Sequence, residues 1–444
     1  MNLHDKLKDI DTYPFHMPGH KRNDKFGILG SEIDITEIDG FDNLHFPSGV
    51  IKNTEDKLKN IYKSERSFIS VNGSSGGMLA SGGMLASFFA VCNEGATVIV
   101  ARNCHKSVYN ACMLLKLKII FVEPQYDLTN GYYTKLEQDT VNYAISRHPD
   151  VKAVIITSPT YEGFVSDIKC DIPLIIDAAH GAHFGMPYFP KYPSGDIVIS
   201  SLHKTLPSLT QTAVVNVFNE KYADKVKRYM DIFQTTSPSY VLMNSIDICC
   251  DYVRNCRNEF GKFYEKLCDL RLVETDNLKI QYNDDISKIV LSCASTNITE
   301  SELAEIFRSK YKIEPEAVSQ NYILLMATIG DTDEGLALLK KAVFETDAKL
   351  EYSPAKPIRK PPVDRNEIVV SIADNGILTD TNESIGKVSN EFVYAYPPDI
   401  PIIAPNEIIT AEAVDYIKNA MADGVNIISD SGQLPNKILT KAGL

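Results

Sequence analysis

Short apolar runs, many of them β-branched, alternate with stretches of helical periodicity between about residue 65 and residue 250. Such runs, bounded by polar or small residues, are typical of strands buried in a parallel sheet. The runs that we predict as strands are Ala96–Val100, Lys118–Val122, Ala153–Thr157, Leu174–Asp177 and Asp196–Ser200. Because strands alternate with helices, the pattern predicts an α/β fold with a parallel sheet covered on both faces.

The pattern changes on both sides of this segment. Residues 1–50 are rich in His, Asp, Gly and Pro and show little periodicity beyond a short opening helix, so we predict an N-terminal arm. Residues 51–250 form the predicted large domain. Residues 251–350 begin with a charged helix and form a predicted small α+β domain. Its further elements are a strand at Ser287–Ser292, a helix at Glu300–Ser309 and a strand at Tyr322–Thr328.

The last part of the chain begins with a stretch of linker composition. Tyr352–Arg365 contains four prolines together with several Lys and Arg residues. We predict a C-terminal domain at residues 366–444. Its segment YAYPPDIPIIAPNE is too rich in proline for a central strand, because proline lacks the N–H that a sheet ladder needs.

Composition narrows the class of protein. With 444 residues, 44% hydrophobic and 23% charged, the chain resembles an ordinary globular protein of several domains and not a fibrous or disordered one. Its 45 Lys and Arg face 58 Asp and Glu, a formal net charge of −13. This balance counts against nucleic acid as a partner and favours a small, cationic molecule.

Cysteine usage and hydropathy indicate the compartment. The nine cysteines are scattered and include the neighbours Cys249 and Cys250, which matches neither a disulfide framework nor a metal-binding pattern. The N-terminus lacks the apolar core of a signal peptide, and no apolar run reaches the length of a membrane span. We therefore expect a cytoplasmic protein that does not bind a membrane.

The strongest local signal is a lysine placed just beyond a predicted strand. In open α/β sheets, ligands bind outside the carboxyl ends of the strands. The strand at 196–200 leads directly to Ser201, His203 and Lys204. Burial would lower the pKa of the Lys204 amine, as a Schiff base with an aldehyde cofactor requires. The alternative is a solvated loop lysine.

A second strand ends in an aspartate, Asp177, followed by His180 and His183. A buried carboxylate beside a pyridine nitrogen keeps that nitrogen protonated, which makes the ring an electron sink. The alternatives are a helix N-cap or a metal site shared with the two histidines. A metal needs a third ligand and suitable geometry, so we predict no metal site.

Two weaker signals follow other strands. The sequence VNGSSGG, beginning at Val71, suits a phosphate at a helix N-terminus, although Gly and Ser also form ordinary turns. His105 could stack as a neutral imidazole on a flat ring, or simply be packed or solvated. A phosphate loop, a stacking His, an Asp for a ring nitrogen and a Lys, in this order on successive strand ends, together indicate a pyridoxal 5′-phosphate (PLP) site.

At these motifs the chain resembles the Orn/Lys/Arg decarboxylases, in the short form without an N-terminal wing domain. The resemblance runs nearly end to end and rests on eight motifs in the family's order. They are FHMPGHKR, DITEIDGFDNLHFPSG, VNGSSGG, ARNCHKSV, ITSPTYEG, IDAAHGAHFG, SLHKTLPSLTQTA and YAYPPDIPIIAPNE. The resemblance implies an aspartate-aminotransferase-like, PLP-dependent transferase fold, with a mostly parallel central sheet, a small α+β domain and a small C-terminal domain.

The resemblance also implies roles for individual residues. Lys204 would form the Schiff base, Asp177 would pair with the pyridine nitrogen, and His105 would stack on the ring. The remaining cofactor contacts that it implies are Ser74, Ser75, Gly76, Ala179, His180, Ser201 and His203. In the family the active site lies at a dimer interface, so Thr235, Thr236 or Ser237 would reach the phosphate in the neighbouring subunit. We therefore expect a homodimer or higher homo-oligomer, inactive as a monomer.

The implied reaction is α-decarboxylation of a basic amino acid to its amine and CO₂, as in polyamine synthesis. Arginine is favoured by analogy, followed by lysine and ornithine. Lys204 or His203 would return a proton to Cα, and the sequence does not choose between them. Glu407, with Asp399 second, is the candidate partner of the distal cation. The alternatives are an aminotransferase or related PLP enzyme, and a catalytically silent regulatory relative.

The chain departs from the family's pattern in two places. SGGMLA occurs twice in tandem, at Ser75–Ala80 and Ser81–Ala86. Six extra helical residues would rotate everything that follows by about 240°, so we expect one copy to form a loop, and Ser81 and Gly82 are alternatives to Ser75 and Gly76. Asp399 and Asn406 also replace expected glycines, which tolerate positive φ best, followed by Asn and Asp.

Overall fold

The computed structural model describes most of the chain. The described residues are 2–10, 12, 14, 17–18, 20–73, 82–355, 358–362, 367–396, 399–422 and 424–442. The chain divides into two compact units. The first unit consists of Met1–Val91 and Ile175–Gly261, and the second of Cys92–Leu174 and Lys262–Leu444.

The α-helices are numbered along the chain. They are α1 (Leu3–Lys8), α2 (Val50–Tyr62), α3 (Gly82–Val91), α4 (Lys106–Leu114), α5 (Gln138–Arg147), α6 (Leu202–Thr205), α7 (Ala223–Phe233), α8 (Tyr240–Asn255), α9 (Arg257–Arg271), α10 (Glu300–Tyr311), α11 (Asp333–Asp347) and α12 (Ala411–Ala422). In the part of the chain that the structure describes, none of the helices combines the length and apolar character needed to cross a membrane.

The strands are numbered in the same way. They are β1 (Arg66–Ser70), β2 (Thr97–Ala101), β3 (Lys118–Val122), β4 (Tyr126–Asp127), β5 (Tyr132–Tyr133), β6 (Ala153–Thr157), β7 (Leu174–Asp177), β8 (Ile197–Ser201), β9 (Ala213–Val217), β10 (Lys279–Ile280), β11 (Lys288–Ser292), β12 (Ala317–Ser319), β13 (Tyr322–Met326), β14 (Ile368–Val369), β15 (Gly376–Asp380), β16 (Val393–Ala395), β17 (Ile400–Ile403), β18 (Ile427–Ser429) and β19 (Lys437–Lys441).

Strands of the first unit lie in the order β1-β9-β8-β7. The β7–β8 pair is parallel, and β9 runs antiparallel to both of its neighbours. All five residues of β8 and of β9 are buried. Strands buried on both faces read as continuous apolar runs, which is why β7 and β8 were predictable from sequence.

Helix α3 packs closely on these strands. A Cβ placed on Gly83 would lie 2.7 Å from Val215 Cγ2, so only glycine allows this approach. Gly82–Ala86, from the second SGGMLA copy, form the first half of this helix. The first copy, Ser75–Ala80, lies outside the described residues, and whether it forms the expected loop stays a prediction.

Strands of the second unit lie in the order β6-β2-β3-β14, with β2 parallel to both β6 and β3. Strands β3, β6 and β7 have the predicted bounds, and β2 and β8 are each shifted by one residue. The antiparallel sheet β10-β11-β13-β12, together with α10 and α11, gives the α+β pattern predicted for this part of the chain.

The C-terminal part of the second unit contains the sheet β17-β16-β18, on which α12 packs. The prediction that YAYPPDIPIIAPNE avoids a central strand is wrong for Tyr394 and Ala395, which lie in the middle strand β16. Both precede the prolines and keep their N–H groups. Pro401 lies in the edge strand β17, where proline is tolerated.

Candidate active site

The predicted Asp177 and Lys204 loops begin side by side in the first unit. Strands β7 and β8 pair in parallel with Asp177 opposite Ile199, and the Ala178 N–H donates to the Ile199 carbonyl at 2.8 Å. Because parallel strands deliver their carboxyl ends to the same edge of a sheet, the loops that follow them begin at the same edge.

Lys204 lies in α6, directly after β8, and its side chain is partly exposed. Its Nζ lies 3.0 Å from Nε2 of His180, which belongs to the loop after β7. An amine and an imidazole at this distance share a hydrogen bond, and either can hold the proton. The two strand-end loops thus bring together a nucleophilic nitrogen and a base.

The neighbouring His203 is held in one tautomer. Its Nδ1 lies 2.8 Å from the Thr212 carbonyl, which can only accept, so Nδ1 carries the hydrogen and Nε2 of the neutral ring is left as an acceptor. Burial lowers the pKa of His203; the Thr212 hydrogen bond opposes this change, and the charge of Lys204 adds to it. The lowered pKa favours the neutral imidazole, in which Nε2 is the acceptor.

Asp177 is buried, with 3% of its surface exposed, and its Oδ1 accepts from the Ala179 N–H at 3.1 Å. No α-helix begins within residues 178–201, all of which are described, so Asp177 is not a helix N-cap. His183 packs edge-on against two rings, Phe184 and Phe189. Within the described residues, no group of three or more His, Cys, Asp or Glu side chains is placed to hold a metal ion.

Of the predicted phosphate loop, Ser74, Ser75 and Gly76 lie outside the described residues, as does Ser81. The residue before them, Gly73, is hydrogen-bonded to the segment that also contacts His203. The Gly73 N–H donates to the Gln211 carbonyl at 2.8 Å, and the next residue, Thr212, holds His203. Gly82 and Gly83 begin α3 beyond the loop. Gln211 and Thr212 are site neighbours that sequence reasoning missed, because they act through backbone carbonyls that any residue carries.

Other predicted cofactor contacts differ in exposure. Ser201, the last residue of β8, is fully buried, and Ala179 is nearly so. Thr235, Thr236 and Ser237 are exposed, and the Thr235 carbonyl lies 2.9 Å from His45 Nε2. Contacts of these residues with a cofactor or a second subunit stay predictions.

His105 lies in the second unit as the N-cap of α4. Its Nδ1 accepts from the Ser107 N–H at 3.1 Å, and its Nε2 lies 3.3 Å from Asp399 Oδ2. Burial opposes ionisation of Asp399, but His105 and Lys106 outweigh it and lower the pKa of this carboxyl. Asp399 and Asn406 have φ of 64° and 78°, so both occupy the left-handed region that the expected glycines would favour.

Glu407 forms a buried ion pair that the sequence analysis did not anticipate. Arg102, 2% exposed, contacts both oxygens of Glu407, 3% exposed, at 2.9 and 3.1 Å. The Ala404 N–H also donates to Glu407. A contact between Glu407 and a substrate stays a prediction, and it would compete with Arg102. The available signal was Arg102 itself, a charged residue directly after an apolar strand.

The residues of the first unit fit PLP by the chemistry of their donors. Lys204 offers an amine for the cofactor aldehyde, and Asp177 a buried carboxylate for the ring nitrogen. The close approach of α3 at Gly83 places a helix N-terminus beyond the loop predicted to bind phosphate.

Comparisons with known proteins identify the family of the chain. The model of the family described as Orn/Lys/Arg decarboxylase, major domain, matches residues 5–270. An arginine decarboxylase of Bacillus anthracis is 29% identical over 463 residues, which cover 93% of this chain and 91% of that protein. One of Bacillus subtilis is 28% identical over 461 residues, with the same two coverages.

Solved structures show the same fold. The constitutive lysine decarboxylase of E. coli has a TM-score of 0.75 at 17% identity, over 99% of this chain and 81% of that chain. A structure described as SPT with PLP has a TM-score of 0.51 at 12% identity, over 67% of this chain and 76% of that chain. These likenesses confirm the predicted fold class.

The family match covers more than half of the chain. The sequence analysis predicted this membership from eight motifs, and the curated relatives extend the similarity to almost the whole chain. The chain therefore belongs to the Orn/Lys/Arg decarboxylase family, and the prediction of a decarboxylase of basic amino acids is confirmed.

Proposed function

We propose that the protein is a PLP-dependent arginine decarboxylase that converts arginine to agmatine and CO₂. The observation that carries the proposal is the 3.0 Å contact between Lys204 Nζ and His180 Nε2, on the loop that follows Asp177. The names of the curated relatives support arginine as the substrate. Fold and family alone leave lysine and ornithine as the second and third candidates.

Within this proposal, Lys204 holds the cofactor covalently and Asp177 faces its ring nitrogen. When bound, PLP supplies an electron sink for the pair of electrons that departing CO₂ leaves at Cα. Asp177 is suited to keep the ring nitrogen protonated, because a buried carboxylate gains most from a cationic partner. His105 keeps the stacking role that the resemblance implies, and Ser74, Ser75, Gly76 and Ser201 keep the phosphate role.

Two histidines, His180 and His203, are the groups that can exchange protons near Lys204. His180 Nε2 can take a proton from Lys204 Nζ, or return one, across their hydrogen bond. Burial lowers the pKa of His203. Only its Nε2 can gain or lose a proton, because Nδ1 donates its hydrogen to the Thr212 carbonyl. Either Lys204 Nζ or His203 Nε2 can hold the proton that is delivered to Cα.

The distal cation of the substrate needs a carboxylate. Glu407 and Asp399 remain the candidates, and a guanidinium favours a bidentate carboxylate over a single oxygen. Asp399 is the more accessible of the two, with 15% of its side chain exposed.

The experiment that tests the proposal incubates the PLP-loaded protein separately with arginine, lysine and ornithine and identifies the products. We expect agmatine and CO₂ from arginine, with the largest kcat/KM of the three substrates. A keto acid without CO₂ would support an aminotransferase instead. Failure to take up PLP as a coloured species would support the silent relative. Lys221→Ala, at an exposed lysine, is the matched control for Lys204→Ala.

A further inference from the structure

The carboxylate of Asp399 faces the imidazole of His105 within the second unit. Asp399 Oδ2 lies 3.3 Å from His105 Nε2 and 3.6 Å from Lys106 Nζ. The Asp399 carbonyl also accepts from the Lys106 N–H at 3.0 Å, in the first turn of α4. Backbone and side chain of this one residue therefore both contact the turn that His105 caps.

The other ring nitrogen of His105 contacts Ser107 in two ways. Nδ1 lies 3.1 Å from the Ser107 N–H, which can only donate, and 3.0 Å from Ser107 Oγ, which can donate or accept. The Oγ contact leaves both tautomers open to the neutral ring, and the Asp399 carboxylate, which accepts at Oδ2, favours the hydrogen on Nε2. That hydrogen is directed at Asp399 Oδ2, so the two contacts on opposite sides of the ring are consistent with a single tautomer.

The backbone at Asp399 makes this contact possible. Its φ of 64° lies in the left-handed region, where the family's motif has glycine, and a glycine would offer the same carbonyl but no carboxylate. Aspartate tolerates this region better than most residues. The contact with His105 is therefore a property of this chain's own residue and not of the turn.

We propose that Asp399 is a positioning residue that fixes the tautomer and the ring orientation of His105. Its catalytic consequence rests on the proposed function, in which His105 stacks on the cofactor ring. A ring held at Nδ1 by the helix N-terminus and at Nε2 by a carboxylate would lose both contacts on flipping, so the contacts favour one ring orientation. A carboxylate that binds the substrate would have a different role. Its loss would raise KM and leave the tautomer and orientation of His105 unchanged.

The direct test records the ring nitrogens of His105 by NMR in cofactor-free protein labelled with ¹⁵N-histidine. His105→Asn identifies the signal by its loss. We expect the Nε2–H tautomer in the wild type and in Asp399→Asn, whose amide oxygen can still accept. In Asp399→Gly we expect signals averaged between tautomers. Wild-type signals in Asp399→Gly would overturn the proposal.

Asp399→Gly is a mild change for the backbone, since glycine adopts positive φ readily. Asn406→Gly is the matched control, because Asn406 also has positive φ and its side chain contacts the Val369 carbonyl and Lys441 instead of His105. We expect this control to leave the His105 signals as in the wild type. Altered signals in both glycine variants would assign the effect to the backbone and overturn the proposal.

Steady-state kinetics with arginine give the second readout. We expect Asp399→Gly to lower kcat roughly tenfold with little change in KM, and Asp399→Asn to restore most of it. A raised KM for arginine with unchanged kcat would instead assign Asp399 to the substrate cation and contradict positioning. If the wild type decarboxylates nothing, the proposed function fails, while the NMR experiment still decides the role of Asp399.

Discussion

His203 shows how one residue links the site to pH. Burial lowers its pKa below the ordinary value of 6.5, so the folded chain resists a proton that the unfolded chain accepts. As the pH falls below about 6.5, the unfolded state binds more protons, and this group's contribution to stability is lost. We expect His203→Asn, which keeps a donor for the Thr212 carbonyl but cannot titrate, to make stability less sensitive to acid.

Urea denaturation at a series of pH values between about 7.5 and 5 measures this effect. His148→Asn, at a partly exposed histidine, controls for the loss of a histidine as such. An unchanged slope of unfolding free energy against pH in His203→Asn would show that the protonation of His203 is not coupled to folding.

Both side chains of the ion pair between Arg102 and Glu407 are buried. Arg102→Met would leave the Glu407 carboxylate buried without its partner, which typically costs about 3–5 kcal/mol of unfolding free energy. We expect Arg102→Met/Glu407→Gln to recover much of this loss, because it removes the uncompensated charge. Chemical denaturation of the wild type and the two variants measures the loss and its recovery.

The exposed pair of Arg66 and Asp224 provides the comparison. Arg66→Ala is expected to change stability by less than about 1 kcal/mol, because solvent screens surface pairs. Equal losses in Arg66→Ala and Arg102→Met would show that burial does not set the strength of the Arg102 pair.

Residue-scale prediction from the sequence succeeded where a residue follows an apolar run. Lys204 and Asp177 were found this way, and the structure places their loops together. Arg102 and Glu407 are 305 positions apart, and no periodic pattern reports such a contact. The sequence pattern suggested His180 only as a possible metal ligand, and its role at the cofactor came from the resemblance. Its contact with Lys204 depends on the packing of two loops.

At the scale of elements, Gly83 sets the distance between α3 and the strands beneath it. A methyl group there would meet Val215 at 2.7 Å and Ile199 at 3.4 Å. We expect Gly83→Ala to destabilise the protein by roughly 1–3 kcal/mol, although alanine favours a helix by about 1 kcal/mol. Val215→Ala is expected to restore part of the loss, since it removes the methyl group in contact.

Gly335→Ala is the matched control for this substitution. Gly335 lies in the exposed first turn of α11, and a Cβ there would make only an ordinary 3.6 Å contact with Thr332. We expect a neutral or stabilising effect, and thermal unfolding measures the stability of this variant and of the Gly83→Ala and Val215→Ala variants. A Gly83→Ala variant as stable as the wild type would contradict the close packing of α3.

The polarity of each strand determined whether it could be predicted from the sequence. Strands β3, β6 and β7 are uninterrupted apolar runs and were predicted with correct bounds. Strands β1 and β9 were missed because buried polar residues interrupt them. Ser67 Oγ donates to Asn216 Oδ1 across these two strands at 2.6 Å, so the polar atoms satisfy each other only after the strands have paired.

At the scale of the whole molecule, the family match and the curated relatives extend the resemblance to most of the chain. The proposed homodimer, with Thr235 and Thr236 completing the neighbour's site, can be tested by subunit mixing. Lys204→Ala and Thr235→Val/Thr236→Val are each expected to be inactive. Random reassociation makes about half of the dimers mixed, and each mixed dimer has one intact site out of two. Mixing therefore restores about one quarter of the wild-type activity.

The unmixed variants, carried through the same dissociation and reassociation, are the controls. Absence of any gain on mixing, with mixed dimers demonstrated by a tag on one variant, would show that each site is built from one chain. Recovery above the controls would assign the exposed Thr235 and Thr236 to the shared site.

The most direct measurement identifies the amine that binds the cofactor. Protein incubated with PLP is reduced with borohydride, digested, and its peptides are sequenced by mass spectrometry. We predict a pyridoxyl group on Lys204 and on no other lysine, and no label in Lys204→Ala, while Lys221→Ala is labelled like the wild type. A label on a different lysine, or an unlabelled Lys204 in active protein, would contradict the central claim.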